Sequence, residues 1–132
     1  MIVRVVGCFI EHKGRFVILH RHSEKIQGNS WGLPAGKVDD SESDIKSIIR
    51  EVKEETGYTA EENELELLGE QEWEFPERNV VFVTYKMTLQ EKIDVVLQPN
   101  EHSEYKWVTP EECYAMDNLI SGFKELLEKF GY

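Results

Sequence analysis

The stretch GKVDDSESDIKSIIREVKEETGY, residues 36–58, decides how this chain is read. Ile45, Ile48, Ile49 and Val52 recur at i, i+3, i+4 and i+7, the spacing of one buried helical face. Ser41 or Ser43 supplies an N-cap, with Asp44 placed three residues after Ser41 in the manner of a capping box. Gly57 supplies the C-terminal stop, so the helix is expected to run to about Thr56. On another stripe Glu51, Glu54 and Glu55 stand close together in the last two turns, where the macrodipole disfavours anions. Like charges four residues apart cost roughly 0.2–0.5 kcal/mol per pair. A hard divalent cation bound through carboxylate oxygens (Mg²⁺, Mn²⁺ or Ca²⁺) would neutralise them. The plainer alternative is a solvated face, which Lys46, Arg50 and Lys53 would also fit.

The chain around this stretch has 132 residues, of which 40% are hydrophobic and 31% charged, enough for one globular domain over residues 1–132. Its formal net charge of −11 argues against a sequence-independent duplex nucleic-acid binder, which needs clustered Lys and Arg. It leaves an anionic substrate open, because a bound divalent cation reverses the local potential. No apolar run reaches the roughly 20 residues of a membrane span, and MIVRVVGCFIEH reads as a strand and not a signal peptide. Cys8 and Cys113 lack metal or redox spacing. Cys8 is expected as a small buried hydrophobe and the compartment as a reducing cytoplasm.

Residues 2–11 and 15–21 read as strands joined at Lys13-Gly14, and residues 23–36 as a loop. Residues 65–75 and 80–89 are two further strands around a turn at Pro76-Glu77-Arg78-Asn79. Tyr105 to Val108 forms a short strand, and Thr109-Pro110-Glu111-Glu112 starts a helix. A last helix is expected over about residues 118–130. Strands, helix, strands and helix around one sheet predict an α/β fold with αβα layers.

The 36–58 stretch resembles the signature of the Nudix hydrolases: a glycine, five residues, a glutamate, seven residues, then Arg-Glu-apolar-x-Glu-Glu-x-Gly-apolar. Gly36, Glu42, Arg50, Glu51, Val52, Glu54, Glu55 and Gly57 fill its slots, and Tyr58 stands where an aliphatic residue is usual. The resemblance implies a Nudix-type αβα sandwich with a mixed β-sheet and flanking helices. It implies Mg²⁺-dependent (or Mn²⁺-dependent) hydrolysis of a nucleoside diphosphate linked to another group, by attack of water on phosphorus. Glu54 and Glu55 would be metal ligands, Glu51 a ligand or the general base, and the Gly36 region a carbonyl ligand. Arg50 would hold a glutamate in place, and Glu42 would support the loop. Glu101 in EHSEYKW would complete the metal site or act as base, with Glu104 the neighbouring choice; the alternative is a pair of exposed acids. Arg21 would contact substrate phosphate, with His20 and His22 as weaker candidates. Homodimers are common in the family.

WEFPER, residues 73–78, is similar to a stretch of MutT-like members that cleave nucleoside triphosphates. There Phe75 and Arg78 would lie near the base, and Asn118 would pair with a base edge through donor and acceptor together. Core packing is the alternative for Trp73 and Phe75, and a helix N-cap for Asn118. Trp31 and Trp107 are expected in the core. The leading expectation is a (d)NTP pyrophosphohydrolase giving a monophosphate and pyrophosphate. Hydrolysis of ADP-ribose, a nucleotide sugar or a dinucleoside polyphosphate is the alternative, and a non-catalytic nucleotide-binding regulator a distant one. The intact REVKEE run, residues 50–55, speaks against the last.

Overall fold

Lys13 and Gly14 adopt left-handed φ angles of 49° and 79° in the computed structural model, which describes residues 2–132. That is the backbone of a two-residue hairpin turn, whose twist suits its flanking strands. The turn joins β1 (Ile2–His12) to β2 (Arg15–Arg21), and the two pair only beside it, at Glu11–Phe16 and His12–Arg15.

Beyond that point β2 parts from β1. It pairs antiparallel with β7 (His102–Val108) on one edge and with β3 (Trp31–Gly32) on the other. The opening is filled by β4 (Ala35–Lys37), antiparallel to Val5–Gly7 of β1. The other edge of β1 pairs parallel with β6 (Asn79–Thr88), which is antiparallel to β5 (Leu65–Glu74). The mixed sheet therefore splits around the β3–β4 segment, and the candidate cleft opens at this split.

Side-chain alternation along β1 separates two cores. Val6, Cys8 and Ile10 pack with Val83, Tyr85 and Met87 against Ile48 and Val52 of α1 (Asp44–Thr56). Phe9 joins Phe16, Ile18 and Phe82 on the opposite face, under Cys113 of α2 (Pro110–Tyr114) and Phe123, Leu126 and Leu127 of α3 (Phe123–Lys129). This is the expected αβα arrangement. Ser43 is the N-cap of α1, accepting from the Lys46 N–H at 3.3 Å, and Gly57 closes the helix with φ 83°. Asp44 is the first helical residue, and its carboxylate is engaged by Arg4. Thr109 and Glu112 form the capping box of α2. Cys8 and Cys113 are buried free thiols.

Three boundaries differ by more than one residue from the sequence reading. The 23–36 loop contains β3 and begins β4, strands too short to show periodicity. β7 begins at His102, three residues before Tyr105, because it follows the length of β2 as far as Arg21. The last helix begins at Phe123 and not near residue 118. Leu119 bridges Trp31, the Trp31 N–H donates to the Asn118 carbonyl at 2.9 Å, and the Ile120 N–H to the Trp31 carbonyl at 2.8 Å. Those backbone groups extend the sheet at β3, so they cannot also start a helix. Among the described residues no helix is long and apolar enough to cross a membrane.

Candidate active site

The cleft at the split of the sheet has a volume of about 830 Å³. The C-terminal half of α1 brings Glu51, Glu54 and Glu55 to it, against β4. The contact is close: a Cβ on Gly36 would overlap the Glu51 carboxylate, which explains the glycine at that slot. Glu55 is buried and accepts the Ala35 N–H at 2.8 Å. Its carboxyl titrates well above the ordinary range because burial penalises the anion. Desolvation likewise raises Glu51, opposed by Arg50.

Arg50 organises the acidic face. Its Nη1 donates to Glu51 Oε1 at 2.8 Å, its Nε to Glu42 Oε1 at 3.0 Å, and its Nη2 to the Lys37 carbonyl at 3.1 Å, while Glu54 lies at 3.5 Å. Glu42 also accepts from Ser47 Oγ at 3.0 Å. Its partial desolvation is outweighed by the Ser47 and Arg50 hydrogen bonds, which hold its pKa below the usual value. The loop, the helix and β4 are thus tied by one guanidinium.

The cleft also collects Glu101, Arg21, Phe75 and Arg78. Glu101 is exposed, with the Lys25 ammonium at 3.0 Å. Arg21 is steadied by an Nε bond to the Ile26 carbonyl at 2.9 Å. Trp73 and Phe82, with ring centroids 5.1 Å apart, form an aromatic wall that continues to Phe75. Among the sequence candidates, therefore, Arg21, Gly36, Glu51, Glu54, Glu55, Phe75, Arg78 and Glu101 share one cleft, with Arg50 tying its acidic side together.

Other candidates lie elsewhere. Asn118 is exposed and not part of the cleft wall; its amide donates to the Asn29 carbonyl at 3.4 Å, and it caps no helix. Its place follows from the backbone bonds to Trp31 described above. Glu104 is exposed on β7, opposite His20. His20 contacts Ser103 Oγ at 2.8 Å and packs on Trp31, and His22 approaches the Glu24 N–H at 3.4 Å. Trp31 is in the core, and Trp107 packs against the α1-side core. Gln27, Gln98, His102 and Ser121 line the cleft without any signal in their local sequence. His102 is buried, its Nδ1 has no partner, and burial, reinforced by Arg21, pushes its pKa down to about 4.

The donor set suits a hard cation in kind: carboxylates of Glu51, Glu54, Glu55 and Glu101, with the backbone of Gly36 beside them. The sequence reading had these carboxylates converging. Among the described residues, however, no three His, Cys, Asp or Glu side chains stand close enough to enclose an ion. Arg50 holds Glu51 and Lys25 holds Glu101. Buried Glu55, with only one backbone donor, is the carboxylate a cation would relieve most.

An αβα fold with a carboxylate-lined cleft flanked by arginines and aromatics suits a hydrolase of phosphoric anhydrides. The model of the NUDIX domain matches residues 1–130, and the chain belongs to the Nudix hydrolase family, whose members generally use divalent metal ions. It is 27% identical over 111 residues to the CTP pyrophosphohydrolase of Escherichia coli K12, covering 84% of this chain and 78% of that protein. It is 26% identical over 119 residues to phosphatase NudJ of the same strain, covering 88% of this chain and 74% of that one. The crystal structure of a MutT protein from Methanosarcina mazei Go1 matches with a TM-score of 0.86 and 30% identity, covering 98% of this chain and 93% of that one.

Proposed function

We propose that the chain is a divalent-metal-dependent nucleoside triphosphate pyrophosphohydrolase, releasing a nucleoside monophosphate and pyrophosphate. One observation carries this reading: a single cleft joins the Glu51, Glu54 and Glu55 face to an aromatic wall of Trp73, Phe75 and Phe82, with Arg21 and Arg78 on its sides. Acids for a metal, cations for phosphates and rings for a base are the parts of a nucleotide polyphosphate site. The similarity to a CTP pyrophosphohydrolase supports a triphosphate substrate.

Glu54, Glu55, Glu101 and the Gly36 carbonyl would hold Mg²⁺ or Mn²⁺, with Glu51 beside them. The ion would offset phosphate charge and favour ionisation of water. The chain's own groups then have separate tasks. Arg21 binds phosphate oxygens, Phe75 with Trp73 stacks on the base, and Arg78 stands beside the base. Glu51 is held by Arg50 through Oε1 alone, so Oε2 is left to take a proton from water. The water oxygen forms a bond to phosphorus as the bond to the α–β bridging oxygen breaks, and the proton passes to Glu51. Arg50 touches no substrate and fixes the orientation of Glu51.

The test is a panel of nucleoside triphosphates, nucleotide sugars, ADP-ribose and dinucleoside polyphosphates with Mg²⁺, ranked by kcat/KM. Triphosphates should lead, with pyrophosphate as a product. ADP-ribose or another non-triphosphate ahead of all of them would overturn the substrate reading.

A further inference from the structure

Gln27 lies on the loop between β2 and β3 and lines the cleft. It holds a left-handed φ of 54°, uncommon for a residue with a side chain, and Asn29 nearby has φ 60°. The loop is closed on itself by bonds from the Gly28 N–H to the Lys25 carbonyl at 2.8 Å and from the Lys25 N–H to the His22 carbonyl at 3.0 Å. This unusual backbone sends the Gln27 side chain across to the start of α3, where Oε1 accepts the Ser121 N–H at 2.9 Å.

That bond settles the orientation of the amide. A backbone N–H is met only by oxygen, so the Nε2 group remains with two N–H donors. Ser121 is followed by Gly122, which sits against the indole of Trp73: a Cβ there would come within 2.7 Å of Cζ2. The amide therefore stands at the aromatic end of the cleft. Arg78, the charged side chain at this end, carries only N–H donors as well, and the Ser121 hydroxyl can also donate. The carboxylate acceptors, Glu51, Glu54, Glu55 and Glu101, belong to the proposed phosphate and metal end. An oxygen at purine position 6 or pyrimidine position 4 is matched by this wall, whereas the amino group that adenine and cytosine carry there meets donors facing donors.

We propose that Gln27 sets base specificity, its amide N–H groups donating to the carbonyl oxygen of a keto base (guanine, uracil or thymine) in preference to the amino bases adenine and cytosine. The inference rests on the nucleotide reading of the cleft and narrows it to a base class. Gln27 takes no part in the bond-breaking step, so its substitution changes KM and leaves kcat for a saturating triphosphate nearly constant.

Equilibrium binding of mononucleotides tests this independently of turnover. GMP and UMP should bind the wild-type chain about three- to tenfold more tightly than AMP and CMP, the effect of one hydrogen bond to a base edge. Gln27→Met, which keeps the length and removes both the donors and the acceptor for Ser121, should abolish that ratio. Gln27→Glu, which keeps an acceptor for Ser121 and turns the donors into an acceptor, should shift the ratio toward AMP and CMP. Ratios within each protein cancel the repulsion between the new charge and phosphate. An unchanged ratio in both variants, or tighter AMP and CMP binding by the wild-type chain, would overturn the proposal. Should a keto preference coexist with no triphosphate hydrolysis, the proposed reaction fails and the base reading stands.

Discussion

Arg50 Nη1 donates to Glu51 Oε1 at 2.8 Å, joining two sequence neighbours whose side chains both turn toward β4. The same guanidinium binds Glu42 and the Lys37 carbonyl, so it sets where Glu51 can sit. Lysine has one charged point in place of a planar fork and cannot serve all three partners at once. Arg50→Lys should keep the fold, shown by an unchanged circular dichroism spectrum, and lower kcat by roughly 10–100-fold, as is usual when a residue that orients a ligand is lost. Full activity in this variant would mean that Glu51 is oriented by something else.

Glu55 has a raised pKa, chiefly from burial, so its anion destabilises the folded chain at neutral pH in the absence of a cation. For an acid shifted upward, this destabilisation is present above the folded pKa and disappears below the unfolded value of about 4.3. Glu55→Gln keeps an oxygen for the Ala35 N–H and removes the charge. The metal-free variant should therefore be more stable than wild type at pH 8. The gain should vanish near pH 4. Mg²⁺ should raise the Tm of wild type but not of the variant, and metal-dependent pyrophosphate release should fall by roughly 100-fold or more. Thermal melts with and without Mg²⁺ at the two pH values check all but the last, which an activity assay checks.

The grouping of Glu51, Glu54 and Glu55 on one side of the cleft was legible in the sequence because they share one helix, where spacing alone determines which side chains are neighbours. Ser43, Ile48, Val52 and Gly57 could be read for the same reason. At the aromatic end Phe75 and Arg78 were legible, but the remaining parts were not, since they come from the 22–30 loop and the segment before α3. Nothing local in Asn118 signals that its carbonyl is taken by Trp31, and nothing local in Gln27 signals that it bonds to Ser121 across 94 positions. The short β3 and β4 exist because β1 and β2 diverge and leave backbone groups to pair. Such pairing is a property of the sheet and not of the strand's own residues.

Gly122 precedes α3 with φ 88° and presses on the indole of Trp73. Gly122→Ala combines a left-handed backbone, unfavourable for alanine, with a methyl group 2.7 Å from the ring. Together these should cost about 2–4 kcal/mol in urea unfolding. Because Trp73 forms part of the aromatic wall, KM for the preferred nucleotide should rise more than kcat falls. A variant of wild-type stability would show that Trp73 moves aside freely.

Arg4 reaches from β1 to the first turn of α1, donating from Nε and Nη2 to the two oxygens of Asp44 at 2.8 and 2.7 Å. This two-point contact, the largest cause, lowers the Asp44 pKa against a smaller opposing desolvation. The position at the helix N-terminus also favours the anion. For an acid shifted downward, the stabilisation is complete above the unfolded value of about 3.9 and is lost as the pH falls through the folded value below it. Both side chains are partly exposed, at 42% and 25%, so solvent screening limits the contribution to about 1 kcal/mol. Asp44→Asn should be less stable than wild type by that amount at pH 7, with the gap closing as the pH falls below the unfolded value. Added salt should narrow the gap at pH 7 as well, because the pair is open to solvent. Urea unfolding of both proteins at pH 7 with and without 0.5 M salt (about five times the ionic strength at which the screening length is 10 Å), and again in acid, measures each part; a gap independent of pH would assign the loss to helix capping geometry and not to the ion pair.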